Sequence, residues 1–284
     1  AMPGAPSDDL APMTSPAPSA LPSSGDHIAF YRFVAVPDVD AAVVRVRELC
    51  AAREGLTGSV LIASEGVNGM LAGAPEQVDA FRAAASADAV TRALFDGIVT
   101  KRTAFTRPPF RRMMVRAKRE IVPLGVDGLD MPNRMEDVRA TDVAPQRWRE
   151  LIRRDDVIVL DNRNSFEFGV GHFEGAIDPG VENFRDFADY VEAHAPAWRE
   201  SGTKVAMYCT GGIRCEKSSP WMQDLGLEVF QLQGGILNYF AQMPDADVDW
   251  RGECFVFDER VSLDTHLRES GTGAADVDEP RPSE

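Results

Sequence analysis

The sequence predicts two mixed domains in tandem: an N-terminal α+β domain with the ferredoxin-like βαββαβ order, and a C-terminal α/β domain with a parallel sheet. The N-terminal part places short apolar runs around two helical patterns. The C-terminal part alternates strands and helices regularly, which is typical of a parallel sheet. The chain has 284 residues, 44% of them hydrophobic, which is enough for two separate cores.

The N-terminal elements follow from hydrophobic periodicity and from glycine and proline positions. A proline at the start of the second helical pattern is typical of a first helical turn. The predicted elements are a strand at 27–36, a helix at 39–49, a strand at 58–63, a turn at 65–69, a strand at 70–72, a helix from 75 and a strand at 98–105.

The C-terminal elements begin after a segment with little periodicity, and continuous apolar runs there predict buried strands. They are a helix at 145–151, a strand at 157–160, a helix at 184–191, a strand at 204–208, a helix ending at 225, a strand at 228–232 and a short helix from 236. The predicted boundaries are a disordered segment (1–26), the ferredoxin-like domain (27–120), a linker (121–140), the parallel α/β domain (141–250), a C-terminal packing segment (251–262) and a disordered acidic tail (263–284).

The most informative segment runs from an apolar strand into Cys209, a glycine-containing loop and a helix. A free thiol is mostly protonated at neutral pH, so a nucleophilic cysteine needs surroundings that favour its anion. Gly211 and Gly212 allow successive N–H groups to point at one centre, and Arg214 adds a positive charge. Cys209 is therefore the predicted nucleophile. Its predicted anion cradle consists of Thr210, Gly211, Gly212, Ile213 and Arg214.

The length of this loop favours sulfur chemistry over phosphate chemistry. Cysteine phosphatases use Cys-x5-Arg to surround a phosphate dianion, whereas four residues separate Cys209 from Arg214 here. The smaller cradle suits a sulfane sulfur carried on the cysteine. Cys215 is either a resolving thiol for Cys209 or a packing residue, because spacing alone does not fix the distance between the sulfurs. Cys50 and Cys254 are interpreted as structural.

Several motifs together resemble a rhodanese domain, and specifically the rhodanese domain of the tRNA uridine hydroxylase family. The resemblance extends from about Ile28 to Val261. The motifs are the Cys-Thr-Gly-Gly-Ile-Arg-Cys-Glu-Lys loop at 209–217, Gly-Gly-Ile-Leu at 234–237, Asp-Asn-Arg at 161–163, Gly-His-Phe-Glu-Gly-Ala-Ile at 171–177 and the closing segment 252–260.

This resemblance implies an oxidoreductase that installs 5-hydroxyuridine at the wobble position of tRNA, with molecular oxygen as co-substrate. Cys209 would be essential and is expected to form a persulfide. No cofactor is evident, and the four histidines show no metal-ligand spacing. Two alternatives stay open: a rhodanese-type sulfurtransferase, and a non-catalytic tRNA-binding module that senses oxidants through its cysteines. A phosphatase is disfavoured by the short loop.

Residues 101–119 contain eight basic and no acidic side chains, in a chain with a formal net charge of −15. Such a stretch can attract phosphates, and Phe105 and Phe110 would offer stacking surface for unpaired bases. The alternative is a solvated strand pair with its aromatic residues in the core. The predicted tRNA contacts are Lys101, Arg102, Arg107, Arg111, Arg112, Arg116, Lys118 and Arg119.

Three polar residues near the predicted loop are interpreted as structural. Asp161 and Arg163 would brace the rim of the site, through an ion pair between Arg163 and Glu167. His172 lies in a turn and is expected to bond to the backbone. The few cysteines and the absence of a long apolar run predict a cytoplasmic protein with no membrane segment, whose oligomeric state the sequence leaves open.

Overall fold

The structure is a computed structural model that describes residues 24–258 and 260–270. Of the segments predicted as disordered, 1–26 and 263–284, residues 1–23 and 271–284 lie outside the described residues, whereas the first strand already begins at Gly25. Within them the predicted fold class is confirmed: a ferredoxin-like domain precedes an α/β domain with a parallel sheet.

The N-terminal domain is a five-stranded sheet covered by helices. Its strand order is β4-β1-β3-β2-β5, so the first four strands have the ferredoxin-like arrangement, and β5 adds an edge strand parallel to β2. The elements are β1 Gly25–Phe33, α1 Val39–Ala51, β2 Thr57–Ala63, β3 Gly66–Gly73, α2 Pro75–Ala87, α3 Arg92–Phe95, β4 Thr100–Phe105 and β5 Met113–Ala117.

Helix α1 shows why the periodic pattern specifies this layer. Asp38 caps the helix by accepting a hydrogen bond from the Ala41 N–H, and the residues at helical spacing face the sheet. Val43, Val46 and Leu49 are buried in one core with strand residues. Each such aliphatic side chain contributes roughly 1.5–3 kcal/mol when it is fully buried.

The turn predicted at residues 65–69 is wrong, because β3 already begins at Gly66 and the turn occupies only residues 64 and 65. The glycines are needed for close approach within the sheet. A Cβ atom on Gly66 would lie 1.9 Å from the Arg32 carbonyl oxygen, and one on Gly69 would lie 2.7 Å from the Phe30 ring.

The segment predicted as a linker contains a 3-10 turn at Met131–Asn133 and helix α4 at Met135–Ala140. Its apolar residues are buried in a cluster that also includes Phe33 of β1 and Met207 of the C-terminal domain. The segment therefore joins the two domains through one continuous core.

The C-terminal domain has a four-stranded parallel sheet of order β6-β10-β9-β7, which places β9 inside the sheet. Its elements are β6 Asp142–Val143, α5 Pro145–Leu151, β7 Val157–Asp161, α6 Ser165–Val170, β8 Gly171–Phe173, α7 Asp186–Ser201, β9 Lys204–Tyr208, α8 Ile213–Asp224, β10 Val229–Leu232 and α9 Gly235–Gln242.

The closing segment forms β11 Trp250–Gly252, β12 Cys254–Phe255, β13 Ser262–Leu263 and β14 Glu269–Ser270. Strand β11 pairs with β8, and the last three strands form a small antiparallel sheet. Because β13 ends at Leu263 and β14 spans Glu269–Ser270, regular structure extends past residue 262 into the predicted tail. Arg260 donates a hydrogen bond to Thr103 Oγ1 at 2.7 Å, which attaches this segment to the N-terminal domain.

Candidate active site

Cys209 lies directly after β9, at the carboxyl end of a parallel strand, where open α/β sheets place their sites. Its side chain is buried, with 1% of the residue exposed. The chain then forms a short loop in which Gly212 has a φ of 104°, and helix α8 starts at Ile213. The structure thus brings together the strand, cysteine, loop and helix that the sequence predicts.

Helix α9 fixes the position of this loop through two backbone hydrogen bonds. The Ile236 N–H donates to the Cys209 carbonyl at 3.0 Å, and the Leu237 N–H donates to the Thr210 carbonyl at 3.1 Å. Gly235 makes this approach possible, because a Cβ atom there would lie 2.5 Å from the Cys209 carbonyl oxygen. Gly234 and Gly235 are therefore turn residues that let α9 pack closely against the loop.

The sulfur of Cys209 is surrounded by groups that favour its anion. The Gly212 N–H donates to Sγ at 3.1 Å. Burial alone would raise the pKa of this thiol. Hydrogen bonds from Cys215 and Gly212, together with the charge of Arg214, outweigh burial and lower the pKa from 9.0 to about 5. Cys209 is therefore a thiolate at neutral pH.

Arg214 lies in the predicted cradle, and its guanidinium forms two hydrogen bonds with the Glu167 carboxylate, at 2.7 and 2.9 Å. Burial opposes the charge of Arg214, but the Glu167 carboxylate raises its pKa above the ordinary value. Glu167 is in turn held in the first turn of α6, where it forms a capping box with Asn164.

The predicted ion pair between Arg163 and Glu167 is wrong. Arg163 instead contacts Asp161, with nitrogen–oxygen distances of 2.6 and 2.8 Å, and the Tyr208 hydroxyl donates to the same carboxylate at 2.7 Å. Glu167 occupies the first turn of α6 and therefore faces the Cys209 loop. Arg163 pairs instead with the nearer carboxylate, that of Asp161 at the end of β7. His172 bonds to the Phe168 carbonyl at 3.0 Å, as expected, and stacks on the Phe168 ring. The predicted turn is wrong, because His172 lies on β8 and pairs with Arg251 of β11.

Cys215 is buried in the first turn of α8, and burial raises its pKa well above 9.0. It is therefore protonated and can donate to the Cys209 thiolate. Asn162 Nδ2 lies 3.9 Å from its sulfur. None of the four cysteines forms a disulfide. The resolving role and the packing role of Cys215 both stay open. Cys50 and Cys254 are buried, in agreement with a structural role.

The N-terminal domain contributes side chains to the site that the sequence did not predict. The Tyr31 hydroxyl donates to Glu216 Oε1 at 2.7 Å and lies 3.5 Å from the Gly211 carbonyl oxygen. Burial is the main cause that raises the pKa of Glu216 to about 7. Next to it, the Lys217 ammonium forms ion pairs with Glu65 and, at 3.2 Å, with Glu120. One sequence signal could have indicated these contacts: Glu216 and Lys217 form a charged pair on a helix whose other residues are mostly apolar or small.

The eight basic residues do not form one patch. Strands β4 and β5 lie at opposite edges of the sheet, and four strand spacings separate them by about 19 Å. Arg102 pairs with Asp26 and Asp79, and Arg119 pairs with Asp127. The exposed remainder lies in the connection from β4 to β5 and on or just after β5: Arg107, Arg111, Arg112, Arg116 and Lys118.

Lys101 and Phe105 are placed differently from the prediction. Lys101 turns toward the other domain, and its ammonium donates to the carbonyl oxygens of Gly211 and Gly234. Phe105 is 2% exposed, so it is a core residue and offers no stacking surface. Phe110 stacks on His27 with a centroid distance of 5.8 Å. The alternating burial of β4 explains Phe105, whereas the position of Lys101 depends on how the domains meet.

Within residues 24–258 and 260–270, no group of three or more His, Cys, Asp or Glu side chains is arranged to hold a metal ion. Over the same residues, no helix is both long enough and apolar enough to cross a membrane.

Comparison with known proteins divides the chain in the same way as the structure. Residues 25–121 match the family model described as a UPF0176 acylphosphatase like domain. Residues 144–242 match the family model described as a rhodanese-like domain.

Relatives with both domains are similar along most of the chain. A tRNA uridine(34) hydroxylase from Nitrobacter winogradskyi is 43% identical over 85% of this chain and 92% of its own length. One from Bradyrhizobium diazoefficiens is 45% identical with the same coverage. One from Brucella anthropi is 42% identical over 85% of this chain and 76% of its own length. Similarity of this extent covers both domains together.

Proposed function

The chain belongs to the tRNA uridine(34) hydroxylase family, and we propose that it is an oxidoreductase that hydroxylates C5 of the uridine at position 34 of tRNA. The observation that carries the chemistry is the buried Cys209 sulfur, which accepts a hydrogen bond from the Gly212 N–H in a loop that both domains contact. A nucleophile of this kind is what activation of a uracil ring requires.

The overall reaction replaces the hydrogen on C5 by a hydroxyl group. One atom of molecular oxygen enters the base. The other leaves as water, which takes up two electrons and two protons from a cellular thiol reductant that becomes a disulfide. Uridine, O2 and two thiols thus give 5-hydroxyuridine, water and one disulfide.

The role of Cys209 in this reaction is addition to C6 of the uracil. Formation of the sulfur–carbon bond moves the electron pair of the C5–C6 double bond toward C5, which becomes electron-rich enough to attack oxygen. C5 forms a bond to one oxygen atom, and the two thiols then cleave the O–O bond, which leaves a hydroxyl group on C5 and releases the other oxygen as water. Loss of the C5 proton and departure of the sulfur from C6 restore the C5–C6 double bond. The attacking sulfur is either the thiolate itself or the outer sulfur of a Cys209 persulfide, and the short Cys-x4-Arg loop favours the persulfide.

The substrate has to present an unstacked base to this sulfur. Enzymes that modify bases take the target nucleotide out of the stack and read it in a pocket. A wobble uridine is in a single-stranded loop, so its extrusion costs less than that of a paired base. The exposed basic residues between β4 and the end of β5 would contact the tRNA backbone. A tRNA substrate also implies a cytoplasmic enzyme.

A complementation experiment tests this function. The host gene is deleted, the strain is complemented with wild type, Cys209→Ser or Cys50→Ser, and 5-hydroxyuridine in digested tRNA is measured by mass spectrometry. We expect the modified nucleoside to return with wild type and Cys50→Ser, but not with Cys209→Ser. Hydroxyuridine that persists in the deletion strain, with no redundant route, would reject the assignment.

Sulfur transfer is the second candidate, favoured by the match to a rhodanese-like domain model and by the short loop. It predicts turnover with thiosulfate and cyanide that is lost in Cys209→Ser. The non-catalytic redox-sensing alternative predicts that the Cys209→Ser strain contains as much 5-hydroxyuridine as the strain with wild type. The same set of variants therefore separates all three functions.

A further inference from the structure

One peptide group connects Lys101 of the N-terminal domain with the sulfur of Cys209. The Lys101 ammonium donates to the carbonyl oxygen of Gly211. The N–H of Gly212 belongs to the same peptide group and donates to Cys209 Sγ at 3.1 Å. The described residues contain no cis peptide bond, so this C=O and N–H point in opposite directions. The ammonium and the sulfur therefore lie at the two ends of one peptide dipole.

We propose that Lys101 is a positioning residue that orients and polarises the Gly211–Gly212 peptide group, so that its N–H stabilises the Cys209 thiolate. This inference rests on the proposed role of Cys209 as nucleophile. A cation at the carbonyl end withdraws electron density from the peptide group and strengthens its N–H as a donor. It also fixes the plane of a group that two glycines would otherwise leave free to rotate.

The other bonds of the loop show why this contact matters. The carbonyl groups of Cys209 and Thr210 are held by backbone N–H groups of α9. Gly211 has the third successive carbonyl, and its close donor comes from the other domain. The same ammonium also donates to the Gly234 carbonyl, so it ties the loop to the turn that starts α9. A Cβ atom on Gly211 would lie 3.5 Å from Lys101 Nζ, which shows how closely the ammonium approaches the loop.

Polar and charged side chains around the sulfur come from both domains. Tyr31 and Lys101 reach the loop from β1 and β4, whereas Arg214, Cys215 and Glu216 lie on α8. Burial lowers the pKa of Lys101 to about 8, while the negative charges of Cys209 and Glu216 oppose this effect. Lys101 thus remains protonated at neutral pH. Its ammonium is occupied by two carbonyls and does not serve as a phosphate contact.

The test is the titration of the Cys209 thiol in the full-length protein without tRNA. Thiolate absorbance near 240 nm is recorded from pH 4 to 8, and the signal that disappears in Cys209→Ser is assigned to Cys209. Cys50 and Cys254 do not interfere, because burial raises the pKa of each to about 12. We expect a midpoint near pH 5 for wild type. In Lys101→Met the midpoint should rise by about one unit or more, a tenfold change in the thiolate-to-thiol ratio per unit.

Lys204→Met is the matched control. Lys204 starts the same strand that ends before Cys209, about 16 Å away along β9, and its ammonium pairs with Asp156 and Glu228. The Lys204→Met substitution removes the same positive charge as Lys101→Met and should leave the midpoint of the Cys209 titration unchanged. Circular dichroism checks that each variant is folded. If Lys101→Met does not fold, Lys101→Gln takes its place. The Gln side chain retains a neutral hydrogen-bond donor, so the midpoint should still rise, but by less than the rise expected for Lys101→Met.

An unchanged midpoint in a folded Lys101 variant would overturn the proposal, and so would an equal shift in Lys204→Met. Weaker tRNA binding with an unchanged midpoint would place Lys101 at the nucleic acid instead. Because the titration needs no tRNA and no turnover, its failure is distinguishable from failure of the proposed hydroxylase function.

Discussion

Glu167 is the residue that compensates the buried charge of Arg214 beside the nucleophile. The two side chains form a bidentate pair with almost no exposure to water. Removing one member of such a pair leaves the other charge buried without a partner. Glu167→Gln is therefore expected to lower the free energy of unfolding by about 3 kcal/mol in urea titrations.

The matched control for this prediction is Glu174→Gln. Glu174 also pairs with an arginine, Arg251, but both side chains are more than half exposed. Exposed pairs contribute under about 1 kcal/mol, so this variant should be close to wild type. Equal losses in the two variants would contradict the special role of the buried pair.

Glu216 should make the stability depend on pH. Burial raises its pKa from 4.5 to about 7 in the folded protein. Between these two values the folded state binds a proton more readily than the unfolded state, so the carboxyl costs stability as pH rises through 7. Glu216→Gln should stabilise the protein by about 2 kcal/mol at pH 8 and by much less at pH 5. Urea titrations at the two pH values measure this. A difference that does not change with pH would argue against a buried carboxyl.

At the scale of elements, the contact between α9 and the Cys209 loop depends on Gly235. It has a φ of 68°, and an added Cβ atom would meet Cys209 O at 2.5 Å and Gly212 N at 2.8 Å. Gly235→Ala must therefore displace the loop and should reduce 5-hydroxyuridine in complemented cells at least about tenfold, since small misplacements of reacting groups have effects of this size.

Gly202→Ala controls for backbone strain in this comparison. Gly202 has a similar φ of 66°, but nothing lies within 4 Å of an added Cβ atom. This variant should lose only about 1–2 kcal/mol of stability from the left-handed conformation and retain normal hydroxyuridine levels. If both alanine variants keep wild-type levels, the loop does not require the close approach of α9.

The sequence predicts elements whose signals are local and misses features that depend on distant partners. Strand β9, the Cys209 loop and helix α8 follow from apolar runs and glycine positions, and the structure has them nearly as predicted. The glycines at 66 and 69 suggested a turn because Phe30 and Arg32, the residues that require them, lie more than 30 positions away. Likewise, nothing local indicates that Lys101 and Tyr31 reach the second domain.

At the scale of the whole molecule, the sheet order divides the basic stretch between two edges. Arg116 and Lys118 lie on and just after β5, far from β4. If this edge contacts tRNA phosphates, Arg116→Met combined with Lys118→Met should weaken binding and reduce the slope of log K against log salt by about two.

Arg147→Met combined with Arg154→Met is the control for this prediction. Both arginines are exposed in the C-terminal domain and pair with neighbouring carboxylates. This double variant removes the same two positive charges and should leave the slope of log K against log salt unchanged. Filter-binding titrations with tRNA over a range of salt concentrations measure both double variants. The same loss in both would indicate a general charge effect and not a binding edge.

The most direct test of the central claim is the mass of nucleotide 34 in tRNA from deletion strains grown under ¹⁸O2. With wild-type protein, we expect the uridine at this position to carry one hydroxyl oxygen as ¹⁸O, whereas the strain with Cys209→Ser should contain unmodified uridine. Hydroxylated uridine in the Cys209→Ser strain, or a hydroxyl oxygen that derives from water, would contradict the proposed role of Cys209 and of molecular oxygen.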